Sequence, residues 1–281
     1  VEPDDDRADP YARFDALLEG EALSDDAIAG TFRVLQRVRG HRYSLDDLAT
    51  AYEAARAVPD ARRVLDLGCG LGSVLTMLAW KLPRARLVGL EAQEISLALV
   101  RRNIRRNGLT PRVALVHGDL RDEGVLDCAR SLGGPFELVT GTPPYMPPGT
   151  ATPSPDPQRA HARVELRGGV EAYAQAIARV LAPGGTALVC ADARTPERAI
   201  DGARRAGLVC VAQRDVIPRA GTKGALFSVF TLRHAADAPD ADVMRIPPLV
   251  VRDAHGARTE TAHELRRFFD LPVDEAEAPS P

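Results

Sequence analysis

Lysine is almost missing from this chain of 281 residues: Lys81 and Lys223 are the only two, against 34 arginines. Neither sign of charge dominates, since 36 basic residues meet 39 acidic ones for a net charge of −3. That balance excludes a global cationic field for holding nucleic acid or an anionic membrane, so any such contact has to be local. No apolar run approaches the ~18 residues of a membrane span, and the acidic start Val1-Glu2-Pro3-Asp4 lacks the pattern of a secretory leader. A cytoplasmic location is therefore expected, without membrane contact. The four cysteines, Cys69, Cys128, Cys190 and Cys210, form no C-x-x-C pair, which argues against a zinc knuckle or a disulfide framework. The six histidines show no ligand spacing and read as surface or loop residues; no metal is expected. What is present is ordinary globular material, 45% apolar and 27% charged.

Short apolar runs at 64–67, 86–92, 113–119, 136–141, 186–192, 208–213 and 225–232 alternate with helical stretches at 71–82, 94–107, 168–182 and 194–206. Continuous Val/Leu runs bounded by glycine and charge suit strands buried on both faces of a largely parallel sheet, giving an α/β fold with helices on both sides. The last two runs lack a helix between them and should pair antiparallel at one edge. Upstream, Thr31–Tyr43 alternates apolar and polar residues up to Gly40 and predicts a short hairpin. Ser44 with Asp47 predicts the capped start of a helix reaching Arg56. Four segments are expected: a flexible acidic N-terminus (1–20), a hairpin and helix extension (21–60), the α/β domain (61–235), and a C-terminal extension with one short helix and an acidic tail (236–281).

Asp66-Leu-Gly68-Cys-Gly70-Leu-Gly72 closes the first strand of the α/β domain and enters a helix, where open α/β sheets bind ligands. Its glycines allow a sharp turn and close ligand approach. A dinucleotide fingerprint would need Gly or Ala where Ser73 stands, which weakens a nicotinamide reading. Glu91 ends the second strand and Asp119 the third, on the same edge. A single such acid reads most simply as a helix or turn cap; three at successive strand ends, with the glycine turn, point to a nucleoside ligand. This arrangement resembles the class I S-adenosylmethionine-dependent methyltransferases, with D-x-G-x-G-x-G as first motif. The resemblance covers roughly 62–234 and implies a Rossmann-like, seven-stranded sheet with S-adenosylmethionine as cofactor, bound by Asp66, Gly68, Gly70, Gly72, Glu91 and Asp119.

After the fourth strand stands Gly141-Thr142-Pro143-Pro144-Tyr145. Two prolines stiffen the loop and leave carbonyls without competing amides, and a tyrosine offers a face for a base. In isolation it would be a proline turn with a packing ring; at this strand end it resembles the [N/D/S]-P-P-[Y/F] motif of methyltransferases acting on planar nitrogens. The catalytic set implied is Thr142, Pro143, Pro144 and Tyr145. Thr142 stands where asparagine is usual: its hydroxyl keeps an acceptor but not the carboxamide's donor.

Leu35-Gln36, Gly40-His41-Arg42, Ser44-Leu45-Asp46, Ala162-Arg163-Val164-Glu165, and Asp253 to Gly256 with Thr259 and Thr261 resemble segments of the bacterial tRNA1(Val) adenine-37 N6-methyltransferase family. That resemblance implies adenine N6 in tRNA as acceptor and tRNA or another structured RNA as partner. Ribosomal RNA adenine, a protein glutamine, or a non-catalytic RNA-binding module with the same fold remain as alternatives. Candidate RNA contacts are Arg33, Arg37, Arg39 and Arg42 on the hairpin; Arg101, Arg102, Arg105 and Arg106 read as a solvated helix face. The loop from Met146 to Arg167 is long enough to act as a substrate lid. The sequence leaves the oligomeric state open.

Overall fold

The computed structural model describes residues 10–150 and 152–273. The predicted tails at 1–9 and 274–281 lie outside the described residues. In chain order the elements are β1 (Leu23–Ala29), β2 (Phe32–Arg37), α1 (Leu45–Ala57), β3 (Arg63–Leu67), α2 (Ser73–Lys81), β4 (Arg86–Glu91), α3 (Glu94–Arg106), β5 (Val113–His117), α4 (Glu123–Gly133) and β6 (Phe136–Gly141). There follow α5 (Pro157–Arg163), α6 (Val170–Val180), β7 (Leu181–Asp192), α7 (Pro196–Arg205), β8 (Leu208–Arg219), β9 (Phe227–His234), β10 (Met244–Arg252) and α8 (Glu260–Phe268). No helix among the described residues is long and apolar enough to cross a membrane.

The central sheet runs β10-β8-β9-β7-β6-β3-β4-β5. From β7 to β5 every pairing is parallel, and β9 runs antiparallel to both β7 and β8. The α/β class with its largely parallel sheet is as expected, but there are eight strands rather than seven. The added strand, β10, comes from the C-terminal extension, for which only a helix was expected; it pairs parallel with β8. So β8 and β9 do pair antiparallel, yet the edge is β10. Its Pro247-Pro248 breaks the apolar alternation that marks strands, and the register slips between Ile246 and Leu249. Two apolar cores flank the sheet: one contains α1, α2 and α3 with Ile28 and Val34 of the hairpin, the other α4, α6 and α7.

The hairpin is real but displaced. β1 and β2 pair antiparallel around Gly30, so one of its strands precedes Thr31 and the turn is not at Gly40. Acidic Ser24-Asp25-Asp26 hid that first strand. The outer edge of β2 is closed by side-chain amides from α3: Asn103 accepts from Leu35 N at 2.7 Å and Asn107 from Arg33 N at 2.9 Å, while both donate back to the carbonyls of the same residues. Two asparagines four residues apart thus stand in for a third strand and leave no open edge there. Asn103 also donates to Leu71 O at 2.9 Å, tying the hairpin to the glycine turn. Residues 12–18, expected in a solvated tail, form a 3-10 helix with Phe14 and Leu18 buried.

The arginines expected on a solvated face of α3 are instead engaged by this N-terminal layer. Arg101 is 4% exposed and pairs with Asp15 at 2.9 Å, Arg102 and Arg105 approach the same carboxylate, and Arg106 binds Asp25. On the hairpin, Arg33 pairs with Asp25, Arg37 with Glu21 and Asp156, and Arg42 with Asp26. Arg39 remains exposed. Acidic partners distant in sequence neutralise most of the cationic patch that spacing alone had suggested.

Candidate active site

The strand ends define the site. Leu67 pairs with both Leu90 of β4 and Gly141 of β6, and Glu91 pairs with His117 of β5. Thr142, Gly68, Glu91 and Gly118 therefore leave the sheet side by side, in strand order β6-β3-β4-β5, at the ~4.8 Å spacing of neighbouring strands. Above them lies a cleft that is open to solvent. Gly68, Gly70, Glu91, Asp119, Thr142 and Pro144 line it.

The remaining predicted residues, Asp66, Gly72, Pro143 and Tyr145, do not. Asp66 lies beneath the turn, 2% exposed, accepting from Thr140 Oγ1 at 2.8 Å. Burial pushes its carboxyl up to about 7, with Glu91 adding to the rise and the Thr140 bond opposing it. Gly72 caps α2 at φ +87°, and a Cβ there would stand 2.5 Å from Val100 Cγ2, so it serves helix packing. Pro143 is buried. Tyr145 turns inward: its ring stacks on Phe227 and its hydroxyl reaches Cys190 Sγ at 2.9 Å and Asp46 Oδ2 at 3.1 Å. It braces the proline loop from behind instead of offering a face in the cleft.

Glu91 is 5% exposed and fixed by two backbone amides, Gly70 N on Oε2 at 2.8 Å and Gln93 N on Oε1 at 2.6 Å. Its carboxyl is raised, chiefly by burial. Asp119 is held in a two-pronged contact by Arg121, which keeps its carboxyl below the usual range. A Cβ on Gly70 would meet nothing within 4 Å, so the space over the turn belongs to the cleft, and its φ of +57° favours glycine.

Sequence reasoning missed a second group in the wall. His41, Tyr43 and Asp47 reach it from the N-terminal extension, and His161, Arg167 and Tyr173 from the segment after the proline motif. His41 and His161 are thus not mere surface residues: burial lowers both imidazoles, and His161 Nδ1 is buried without a partner. Asp47 caps α1 as predicted, accepting from Ser44 N at 3.2 Å, and burial beside Asp46 pushes its carboxyl up to about 8. The capping pattern was the one signal available, and it accounts for one face of Asp47 only. The expected lid at 146–167 is partly structured, since α5 plants buried Gln158 against Arg37 and Ser96. Among the described residues no three His, Cys, Asp or Glu are grouped to hold a metal.

The donor set suits S-adenosylmethionine. Carboxylate oxygens at two adjacent strand ends match a ribose diol and an adenine amino group, and an acid-rich wall complements a ligand with two positive centres. Gly68, Gly70 and Glu91 would hold its central part and Asp119 the base.

Comparison with known proteins agrees with that fit. Residues 64–141 match the family described as a methyltransferase domain. A 4-amino-L-phenylalanine/4-methylamino-L-phenylalanine methyltransferase of Streptomyces pristinaespiralis is 33% identical over 51% of this chain and 48% of its own length. A release factor glutamine methyltransferase of Caulobacter vibrioides is 36% identical over 47% of each chain. A tRNA1(Val) (adenine(37)-N6)-methyltransferase of Porphyromonas gingivalis is 32% identical over 40% of this chain and 42% of that one. The chain spans about half the length, or less, of these relatives. Its fold is shared with a solved structure described as a predicted O-methyltransferase from Agrobacterium tumefaciens, at a TM-score of 0.59 and 18% identity, covering 81% of this chain and 98% of the other. The glycine turn and both lining acids fall inside the matched span, so residues 64–141 carry a methyltransferase domain, and S-adenosylmethionine is the cofactor that its donor set fits.

Proposed function

We propose that the chain transfers the cofactor's methyl group to a planar exocyclic amino or amide nitrogen, with adenine N6 in tRNA as the acceptor implied by its resemblance to the adenine-37 family. One observation carries this reading: Thr142 and Pro144 of the proline motif stand in the wall of the same cleft as Gly68 and Glu91, and the Thr142 hydroxyl makes no hydrogen bond among the described residues. Bound S-adenosylmethionine supplies an electrophilic methyl. The protein has to hold the acceptor nitrogen with its lone pair in line, and Thr142, whose hydroxyl can accept from its N–H groups, faces it from the wall beside Pro144. The rigid loop, braced by the inward Tyr145, keeps them in place.

The arginine pairings favour a second reading. With Arg33, Arg37 and Arg42 paired to Asp25, Glu21, Asp156 and Asp26, Arg39 alone of the four candidate RNA contacts at the hairpin is left for phosphates, which suits an amide or arylamine acceptor outside nucleic acid. Labelled-methyl transfer into bulk tRNA, into release factors and into small arylamines separates the two. Bulk tRNA as the best acceptor supports the first reading.

Thr142→Val tests the motif under either reading. It keeps the shape and removes the acceptor, so turnover should fall 10- to 100-fold, on the order of 1.4–2.7 kcal/mol, with cofactor affinity unchanged. A valine variant as active as the parent, or methyl found on a ring carbon or ribose oxygen, refutes the planar-nitrogen reading.

A further inference from the structure

Tyr173 has no part in the roles described so far. It projects from α6, outside the matched span, and only 6% of it is exposed. Its ring fills the gap between the ends of β3 and β6. A Cβ on Gly68 would stand 2.2 Å from its hydroxyl oxygen, and one on Gly141 would stand 2.6 Å from its Cδ1. Side chains at both positions are excluded, so two glycines on neighbouring strands reserve the slot for this ring. The ring lines the cleft, and its hydroxyl makes no hydrogen bond among the described residues. A buried hydroxyl that faces a ligand cleft without a protein partner is a donor or acceptor awaiting one.

Strand order tells which part of the cofactor meets it. Asp119 at β5 and Glu91 at β4 are the acceptors for the nucleoside. The sulfur and its methyl have to lie further along the row, toward Thr142 at β6, for the methyl to face the acceptor. That is the β3–β6 junction, where the Tyr173 oxygen sits. We infer that the Tyr173 hydroxyl contacts the positively charged sulfur end of S-adenosylmethionine and so distinguishes the methyl-bearing cofactor from the neutral thioether left after transfer. Burial and the nearby Glu91 and Asp66 carboxylates hold the phenol well above its usual range, so it keeps its proton. It acts as a dipole whose oxygen attracts the cationic sulfur and its polarised C–H groups. Toward a neutral sulfur the same oxygen gains little.

The inference rests on the cofactor site and is independent of the acceptor's identity. The test is therefore a binding measurement without acceptor. Tyr173→Phe removes one oxygen from a slot already shaped to the ring. Calorimetric titration with S-adenosylmethionine should show affinity lowered about three- to tenfold, while S-adenosylhomocysteine binds within about twofold of its parent value. A melting midpoint within about 2 °C of the parent checks the fold. Equal losses for both ligands would place the contact on a part that they share and overturn the inference, as would no loss for either.

Discussion

Raising the pH from about 5 to 8 should destabilise the cofactor-free chain, and Asp66→Asn should remove much of that dependence. The cause is burial. Asp66 is fully enclosed beneath the glycine turn, and its carboxyl rises from 3.8 to about 7 despite the Thr140 bond. A carboxyl raised on folding binds its proton more tightly in the native state. Its contribution to stability is therefore complete below its unfolded value near 4 and is lost as the pH climbs through about 7. Asp47, raised to about 8, acts in the same direction and extends the window upward. At about 1.4 kcal/mol per pH unit, Asp66 alone sets an upper bound of about 4 kcal/mol. The effective dielectric of a protein interior, higher than that of a dry one, should reduce this to about 2 kcal/mol. Urea unfolding at pH 5, 6.5 and 8 reads the effect: parent midpoints should decline steadily, with the Asp66→Asn series flatter. Parent midpoints that hold or rise across that range contradict the burial argument.

Glu91→Ala should weaken S-adenosylmethionine binding by about 1.5–3 kcal/mol, roughly 10- to 150-fold in Kd, measured by calorimetry. A carboxylate has about four acceptor positions. Gly70 N and Gln93 N occupy two on Glu91, fixing the group and leaving acceptor capacity toward the cleft. Alanine would remove the proposed ribose contact and also free the amide that shapes the turn at Gly70. Glu91→Gln should not rescue: whichever way the amide is placed, its NH2 confronts one of two backbone donors. Unchanged affinity in the alanine variant would remove Glu91 from the ribose.

The donor half of this site was legible because it is local. A glycine turn at a strand end and acids at two further strand ends are features of short segments, and parallel α/β topology places their ends in one row. The acceptor half was not. His41, Asp47 and His161 meet Thr142 only through tertiary packing, and each has a plain local identity, loop histidine or helix cap; Tyr173, a helix ring, reaches the β3–β6 junction in the same way. Tyr145 shows the opposite error, a motif residue whose expected exposure yielded to a buried stack on Phe227. The arginines of α3 failed for the same reason, because periodicity reports a face and not what covers it. β10 was missed because prolines interrupt it and its pairing partner is more than two dozen residues upstream.

The division of the cleft between segments bears on inheritance. The residues proposed to hold the methyl donor's nucleoside lie in one continuous stretch from Gly68 to Asp119, whereas the facing wall is gathered from the 41–47 stretch, the proline loop and the 161–173 stretch. Drift in those three stretches could therefore recast what is methylated while the reagent stays the same. The three relatives, each matched over about half of its own length or less, are named for an amino acid, a protein side chain and a tRNA base.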